Sequence, residues 1–270
     1  MQAVVRPGHA VAVETVIDEG NRPVALVTGV GRRIGIGAAV AERLARDGLD
    51  VGITWWRRYD ERMPWGADPD AIDLGEVAER VGVRTTAVEA DLERPAAAAE
   101  VFDAVEAALG SVSVLVVCHC ESVDSGLLDT TVESFDRHMA VNARATWLLI
   151  REMGLRFRGP AGTGRIVSLT SDHTVGNLPY GASKGALDRI TLAAARELAH
   201  LGIAANVVNP GPVDTGWMDD EVRSAVLAST PGGRLGLPTD VANLVSFLVS
   251  AEGGWINGQL LHSDGGASAR

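Results

Sequence analysis

The sequence predicts an α/β fold, in which a doubly wound parallel sheet is covered by helices on both faces, giving three layers in a single domain. Two observations predict this fold. Short apolar runs alternate with helical stretches along the chain, and this alternation is typical of parallel βαβ units. The chain also has 270 residues, 46% of them hydrophobic, and 31 glycines, which suits one domain with a large core and many tight turns.

The apolar runs, and the stretches between them, predict the strands and helices in chain order. Short apolar runs predict strands buried on both faces, at residues 24–28, 50–54, 84–90, 112–117, 165–169, 204–208 and 259–262. The stretches between them predict helices at residues 38–47, 76–81, 95–109, 132–157, 180–201 and 240–250. Residues 60–75 contain Pro64 and Pro69 and predict a loop. Residues 1–22 have mixed character and predict an N-terminal extension outside the main domain, residues 23–270.

Composition excludes several classes of function. The net charge of −11 argues against nucleic-acid binding as a main role, because phosphate contacts need a basic face. The two cysteines, Cys118 and Cys120, form no disulfide framework, so a reducing cytoplasm is the expected location. No apolar run reaches membrane-spanning length, and the N-terminus lacks the pattern of a signal peptide.

A glycine-rich loop follows the first predicted strand and opens the first helix. It contains Gly29, Gly31, Gly35 and Gly37. Glycines let the backbone approach a diphosphate, and a helix N-terminus offers free N–H groups and the positive end of its dipole. A glycine motif between a strand and a helix therefore predicts a dinucleotide-binding site, with a merely structural turn as the alternative.

Lys184 is the only lysine in the chain, and Tyr180 is one of two tyrosines. Residues four apart share a helix face, so we expect the two side chains to lie together. An ammonium beside a phenol favours the phenolate and should lower the tyrosine pKa from about 10. The pair therefore predicts a general acid/base. The alternative is a surface lysine beside a half-buried tyrosine, since such pairs are common.

Several motifs in a characteristic order carry a family resemblance over residues 24–266. They are Thr28-Gly29 through Gly37, Asp91-Leu92, Asn142, residues 164–171, Tyr180 through Lys184, Asn209-Pro210-Gly211 and residues 258–266. Together they resemble the short-chain dehydrogenase/reductase family, most of all its 3-oxoacyl-acyl-carrier-protein reductase branch. The resemblance implies a Rossmann-type fold and a homotetramer formed through the long helices and the C-terminal segment. It also implies hydride transfer between a nicotinamide dinucleotide and a carbonyl carbon.

The resemblance implies a role for each matching residue. Tyr180 would be the catalytic acid/base, and Lys184 would lower its pKa and hold the nicotinamide ribose. Asn142 would anchor a water that relays protons from Lys184, and Ser171 would hydrogen-bond the substrate oxygen. The implied cofactor-binding residues are Gly29, Gly31, Gly35, Ile36, Gly37, Asp91, Leu92, Cys118, His119, Tyr180, Lys184, Pro210, Gly211, Val213 and Thr215.

Arginines predict that the cofactor is NADP(H) rather than NAD(H). An acidic residue at the end of the second strand would bind the ribose hydroxyls and repel a 2′-phosphate, but Thr54 ends that strand. Arg32 and Arg33 stand in the glycine loop, and Arg57 and Arg58 follow the second strand. Guanidinium groups suit a phosphate dianion. The alternative is that these arginines are simply solvated.

Three stretches depart from the family pattern. The glycine loop is two residues longer than usual, which leaves open the amides that contact the diphosphate. The gap of nine positions from Ser171 to Tyr180 is shorter than usual, so Ser168 or Thr170 could take the place of Ser171, and the substrate could differ from that of the nearest relatives.

The third departure is Val117-Cys118-His119-Cys120, which replaces the family's usual Asn-Asn-Ala-Gly. If the strand continues, Cys118 and Cys120 point to one face and His119 to the other. Neighbouring residues do not easily converge on one ion, so we predict no metal site. We expect a packed, inert cysteine pair and a hydrogen-bonded, structural histidine, with contact to the cofactor as the alternative for His119.

The sequence therefore predicts an NADPH-dependent oxidoreductase that reduces a ketone, such as a 3-oxoacyl thioester, to a secondary alcohol. One alternative keeps the chemistry but takes a polyketide, sugar or other secondary-metabolite carbonyl. A second is a catalytically silent dinucleotide-binding sensor or scaffold. If an acyl-carrier protein is the partner, Arg156, Arg158 and Arg165 are candidates to meet its acidic surface. Trp217 and His173 are candidates for the substrate pocket, each with packing or surface exposure as the alternative.

Overall fold

The computed structural model describes residues 22–68 and 74–269. Within these residues the chain forms one seven-stranded parallel sheet of order β3-β2-β1-β4-β5-β6-β7. The strands are β1 (Val24–Thr28), β2 (Asp50–Trp55), β3 (Thr85–Glu89), β4 (Val112–Val117), β5 (Gly164–Leu169), β6 (Ile203–Asn209) and β7 (Leu260–His262). The α-helices are α1 (Ile36–Arg46), α2 (Arg57–Arg62), α3 (Gly75–Val81), α4 (Ala97–Leu109), α5 (Val132–His138), α6 (Ala145–Arg156), α7 (Leu178–Glu197), α8 (Asp220–Ser229) and α9 (Pro238–Val249).

Two hydrophobic cores lie on opposite faces of the sheet. On one face Phe102 of α4, Leu149 of α6 and Leu187 of α7 pack in a single cluster. On the other face Leu44 of α1 and Val245 of α9 belong to a second cluster. Because both faces are covered, the inner strands β1 and β4 are almost entirely apolar and buried, which is why short apolar runs predicted them.

The order of the strands reverses beside β1, which pairs with β2 on one side and β4 on the other. In an open α/β sheet, ligands bind in the crevice at the carboxyl ends of the strands beside such a switch point. The loops that carry the glycine motif, the Cys-His-Cys stretch, Ser171 and Pro210 all leave carboxyl ends of strands. The topology therefore brings the predicted functional segments to one edge of the sheet.

The predicted strands are confirmed, and two of them, 24–28 and 112–117, have the predicted ends. The predicted long helix 132–157 is interrupted. Between α5 and α6 the segment Met139–Arg144 is a π-helical turn, a wider turn that is frequent at functional sites. Asn142 lies in this turn, and its side chain forms hydrogen bonds to the backbone of Glu121, which follows β4.

Two helices form where the sequence analysis placed none. Helix α2 occupies the start of the predicted loop 60–75 and begins three residues earlier, at Arg57. Helix α8 follows the Pro210-Gly211 turn and begins at Asp220. Its N-cap is Asp219, whose side chain accepts a hydrogen bond from Val222 N at 2.8 Å. An aspartate N-cap is a local signal that could have predicted α8.

The N-terminal extension, residues 1–22, lies outside the described residues except for Arg22. Among the helices that the structure does describe, none combines the length and the hydropathy needed to cross a membrane.

Candidate active site

A cavity of about 1090 Å³ opens at the carboxyl edge of the sheet. It runs from the glycine loop to Tyr180 and on toward α8. Of the predicted site residues, those that line it are Gly29, Gly31, Arg32, Gly35, Ile36, Gly37, Asp91, Leu92, Cys118, His119, Ser171, Tyr180, Lys184, Pro210, Gly211, Val213 and Thr215. Arg33, Arg57 and Asn142 do not line it. The sequence therefore predicted most of one continuous site.

The glycine loop has the close backbone packing that a dinucleotide cradle requires. Gly29 has φ +73°, and a Cβ there would lie 2.5 Å from the backbone nitrogen of His119. A Cβ on Gly37 would lie 2.6 Å from the carbonyl oxygen of Gly29. Side chains are thus excluded where the loop meets the start of α1. The residues present fit the diphosphate of a dinucleotide, because they leave bare backbone beside a helix N-terminus.

The structure corrects two of the predicted arginines. Arg57 begins α2 and pairs with Glu61 one turn later at 3.1 Å, on the solvent side. Arg33 is exposed and lies outside the cavity, toward α1 and α9. Arg32 does line the cavity, and so does Arg58 rather than Arg57, because the helical turn of α2 directs successive side chains to different sides.

Tyr180 and Ser171 form the candidate proton-transfer pair. Both line the cavity, and a side-chain hydrogen bond from Ser171 favours the Tyr180 phenolate. Ser171 Oγ also accepts a hydrogen bond from His173 N at 3.1 Å, which orients the hydroxyl. Ser171 lies two residues after the end of β5, and Tyr180 lies in the first turn of α7. The strand and the helix therefore position the two side chains together.

Lys184 is buried beneath Tyr180. Its ammonium lies 5.6 Å from the centroid of the Tyr180 ring and donates a hydrogen bond to Leu169 O at 2.8 Å. The prediction that the two residues share a helix face is confirmed. The predicted fall in the Tyr180 pKa is wrong for this structure: burial, with the nearby Cys120, raises the pKa of Tyr180 above its usual value. Burial also lowers the pKa of Lys184, so desolvation is the largest influence on the pKa of each group.

Asn142 connects segments of the chain that border the cavity without lining the cavity itself. It is fully buried, and its side chain holds the backbone of Glu121 in both directions, accepting from N at 2.7 Å and donating to O at 2.8 Å. The same amide donates to Ser183 Oγ at 2.8 Å. Asn142 therefore joins the chain after β4 to helix α7. The water relay that the family resemblance implies for Asn142 stays a prediction.

His119 is hydrogen-bonded at both ring nitrogens, and its contact with the cofactor stays a prediction. Its Nδ1 lies 2.7 Å from Thr28 Oγ1 and its Nε2 lies 2.9 Å from Val141 O. Because Val141 O can only accept, Nε2 carries the proton and Nδ1 accepts from the Thr28 hydroxyl. Burial, with the charge of Lys184, lowers the pKa of His119 to about 3, so the ring is neutral and ties β1 to the π-helical turn.

Strand β4 ends at Val117, so the predicted alternation of Cys118, His119 and Cys120 across a strand does not apply, and all three residues line the cavity. Burial raises the pKa of the Cys118 thiol to about 12 and raises that of Cys120, which makes both thiols weak nucleophiles. Over residues 22–68 and 74–269, no three His, Cys, Asp or Glu side chains could hold a metal ion together.

The structure also distinguishes Ser168 from Ser171, the two serines considered as the residue that contacts the substrate oxygen. Ser168 is fully buried within β5, outside the cavity lining, and its Oγ accepts a hydrogen bond from Thr191 Oγ1 at 2.9 Å. Ser171 and Thr170 both line the cavity, but Ser171 is the one that reaches Tyr180. Ser171 is therefore the better candidate to contact a substrate oxygen.

A family model described as enoyl-(acyl carrier protein) reductase matches residues 29–268, which is most of the chain. The chain belongs to the short-chain dehydrogenase/reductase family. The match spans every segment that lines the cavity, from the glycine loop to Ser268.

The chain is similar to known proteins over nearly the whole length of both sequences. An uncharacterized oxidoreductase, YjdA, of Bacillus subtilis is 36% identical, covering 93% of this chain and 98% of that protein. An NADPH-dependent aldehyde reductase-like protein, chloroplastic, of Arabidopsis thaliana is 34% identical over 90% and 93% of the two chains. A crystal structure of a short-chain dehydrogenase from Burkholderia cenocepacia in complex with NADP has a TM-score of 0.77 at 34% identity, covering 93% of this chain and all of that one.

The part of the cavity beside α8 in this short-chain dehydrogenase/reductase is lined mainly by apolar side chains. Trp217 and His173, which the sequence analysis left open, both line the cavity, together with residues of α8 and the turn before it. Trp217 is 40% exposed, so it is free to contact a ligand.

Sequence reasoning missed the residues that follow β2 and cover the cavity. They are Trp56, Tyr59, Asp60, Arg62 and Trp65, with Glu121 opposite them. A local signal existed, because residues 55–65 contain three of the six tryptophans and one of the two tyrosines. Aromatic residues clustered between a predicted strand and a predicted loop indicate a binding surface.

None of the three arginines proposed to meet a carrier protein lines the cavity. Arg165 is the second residue of β5, at the end of the strand away from the cavity, and is 5% exposed. Arg156 is neutralised by Asp103 at 2.6 Å and by two further carboxylates. Arg158 is exposed but also lies outside the cavity lining. The carrier-protein partner itself stays a prediction.

Proposed function

We propose that the protein is an NADP(H)-dependent oxidoreductase that reduces a ketone, of the 3-oxoacyl thioester type, to a secondary alcohol. One observation carries the proposal: Tyr180, Ser171 and Lys184 converge in the same cavity that the glycine loop opens. A proton donor, a hydroxyl beside it and a dinucleotide cradle in one cavity suit carbonyl reduction.

The protein's own residues would bind, orient and supply a proton. Gly29, Gly31 and Gly37 would hold the diphosphate of the dinucleotide, which supplies a hydride when it is bound. Because burial raises the pKa of Tyr180, its hydroxyl is protonated at neutral pH and can donate to a carbonyl oxygen. Ser171 would hydrogen-bond the same oxygen, and Lys184 would stabilise the phenolate that the proton leaves behind.

The choice of NADP(H) is supported by Arg32 and Arg58, which line the cavity. The guanidinium of Arg32 lies 4.4 Å from the centroid of the Trp65 ring, and that of Arg58 lies 5.8 Å from the Trp56 ring. A guanidinium stacked on an aromatic ring keeps its donors free for a phosphate. The NADP complex of the structural relative is consistent with this choice.

The choice of an acyl thioester draws on the description of the family model, whereas the Arabidopsis relative is named for aldehyde reduction. Oxidation of NADPH by acetoacetyl thioester, crotonyl thioester and a short aldehyde would be compared at equal concentration. The proposal predicts turnover with the acetoacetyl thioester above both others. Higher turnover with the crotonyl thioester would show enoyl reduction instead, and tight NADPH binding without any turnover would favour the sensor.

A homotetramer, an acyl-carrier-protein partner and a cytoplasmic location complete the proposal. The tetramer is supported by exposed apolar side chains on the elements that the resemblance named, Trp147 and Leu155 of α6 and Leu260 of β7. Light scattering on the eluting protein would measure the mass in solution. A monomeric mass at micromolar concentration would contradict the tetramer.

A further inference from the structure

The segment after β2 crosses the cavity from the glycine loop toward the catalytic end. It comprises residues 56–65, including α2, and is called the strap below. On the glycine-loop side, Asp60 Oδ1 accepts a hydrogen bond from Trp65 Nε1 at 3.1 Å and lies 4.0 Å from Arg32 Nε. The Arg32 guanidinium stacks on the Trp65 ring. The strap is therefore attached to the loop by charge and by aromatic packing.

The other carboxylate oxygen of Asp60 lies against Gly31. A Cβ built on Gly31 would be 2.4 Å from Asp60 Oδ2. The space that this glycine leaves beside the backbone is thus filled by a carboxylate of the same chain. Asp60 is 7% exposed. A carboxylate and a diphosphate are both anions, and repulsion between them is stronger in a cleft that excludes water.

The far end of the strap is fastened beside the catalytic residues. Arg62 forms an ion pair with Glu121, whose side chain is 3% exposed, and its guanidinium lies 5.2 Å from the Tyr59 ring centroid. The backbone of Glu121 is held by Asn142, as described above. Tyr59 lines the same cavity as Tyr180, so the strap contacts both the glycine loop and the part of the predicted dinucleotide cleft beside Glu121.

We propose that the strap closes the dinucleotide cleft and that Asp60 competes with the diphosphate of the cofactor for Gly31. The Arg62–Glu121 pair holds the strap in the closed position, and the strap must shift at Asp60 when the dinucleotide binds. This inference rests on the proposed function, because it takes the ligand to be a nicotinamide dinucleotide. It makes Asp60 a determinant of cofactor affinity that is distinct from the residues that bind the cofactor.

The first test is the affinity for NADPH, measured by fluorescence titration of the full chain. Asp60→Asn keeps the shape and the acceptor for Trp65 but removes the charge, so binding should become about tenfold tighter, a coupling of ordinary size. Glu61→Gln is the matched control, since it removes the same charge from the same helix on the side facing Arg57. The control should leave the Kd unchanged. Equal or weaker binding by Asp60→Asn would overturn the competition.

The second test needs no dinucleotide. Hydrogen exchange of residues 56–65 in the free protein should be slow in the native chain and faster in Glu121→Gln, which breaks the ion pair, but not in Glu61→Gln. Exchange at the rate of an unstructured chain in the native protein would overturn the closed strap. If the native chain and both Asp60→Asn and Glu61→Gln fail to bind NADPH, the proposed function and the competition fail together. Binding that Asp60→Asn leaves unchanged overturns the competition alone.

Discussion

The side-chain amide of Asn142 donates a hydrogen bond of 2.8 Å to Ser183 Oγ, which in turn donates to the backbone oxygen of Tyr180 at 2.8 Å. Through this chain the π-helical turn is connected to the first turn of α7. The residue proposed to give up the proton is thus positioned by a buried amide that does not line the cavity. Both bonds are fully enclosed, since Asn142 and Ser183 have no exposed surface.

Replacing Asn142 by alanine should destabilise the fold and reduce activity together. The change leaves the N–H and C=O of Glu121 buried without partners, at a cost of about 1–3 kcal/mol each. Urea denaturation would measure the free energy of unfolding, and the change in kcat would be read on folded protein. Thr146→Val is a comparison in the same region, because it removes only the hydroxyl that donates to Asn142 O. A similar loss of kcat in Thr146→Val would contradict the role of Asn142 in positioning Tyr180.

Ser171→Ala should lower kcat by about 10²–10³-fold, the usual effect of removing one donor to a developing oxyanion. Ser168→Ala should change stability instead, because Ser168 bonds Thr191 inside the core and does not reach the cavity. Steady-state kinetics on both variants would separate the two serines. The opposite pattern, with kcat lost in Ser168→Ala alone, would mean that the short loop shifts the catalytic position.

Arg32→Ala should weaken NADPH binding far more than NADH binding. A charge-assisted hydrogen bond contributes about 1.5–3 kcal/mol, which corresponds to roughly 10–150-fold in Kd. Arg33→Ala is the matched control, because Arg33 is the next residue in the loop but lies outside the cavity. Fluorescence titration with each dinucleotide would measure both ratios. Equal losses for NADPH and NADH in Arg32→Ala would exclude it as a 2′-phosphate ligand.

His119 should make the fold sensitive to acid. Its pKa is lowered from 6.5 to about 3 in the folded chain, so the unfolded state takes up the proton first as the pH falls. Stability is therefore full above about pH 6.5 and is lost toward pH 3, with about 2 kcal/mol lost between pH 7 and pH 5. His119→Gln, which keeps a donor for Val141 O, should lack this part of the loss, whereas the exposed His200→Gln should keep it. Denaturation curves at both pH values would show whether the pH effect stays with His119.

The fold and much of the site could be predicted because the relevant patterns are local. The run at residues 112–117 is apolar except for Ser113, so both ends of β4 could be predicted to the residue. The spacing of Tyr180 and Lys184 placed them on one face of α7. The glycine loop was recognisable because glycine is required where backbone meets backbone, as at Gly29 and Gly37.

The rest depends on contacts between distant parts of the chain. Helix α2 has no side-chain cap and is held in place by Arg62 and Glu121, 59 residues apart, which no sequence window contains. The direction of the Tyr180 pKa shift was missed for the same reason. The spacing to Lys184 shows a nearby charge, but the burial that outweighs it is a property of the whole cavity.

Tyr180 is proposed to supply the proton for carbonyl reduction with NADPH. Absorbance of NADPH would be followed with an acetoacetyl thioester for the native protein and for Tyr180→Phe, with NADPH binding by fluorescence as the control for folding. The account predicts NADPH oxidation by the native protein and a loss of at least about 10²-fold in kcat for Tyr180→Phe with binding retained. Equal turnover by the two proteins would contradict it.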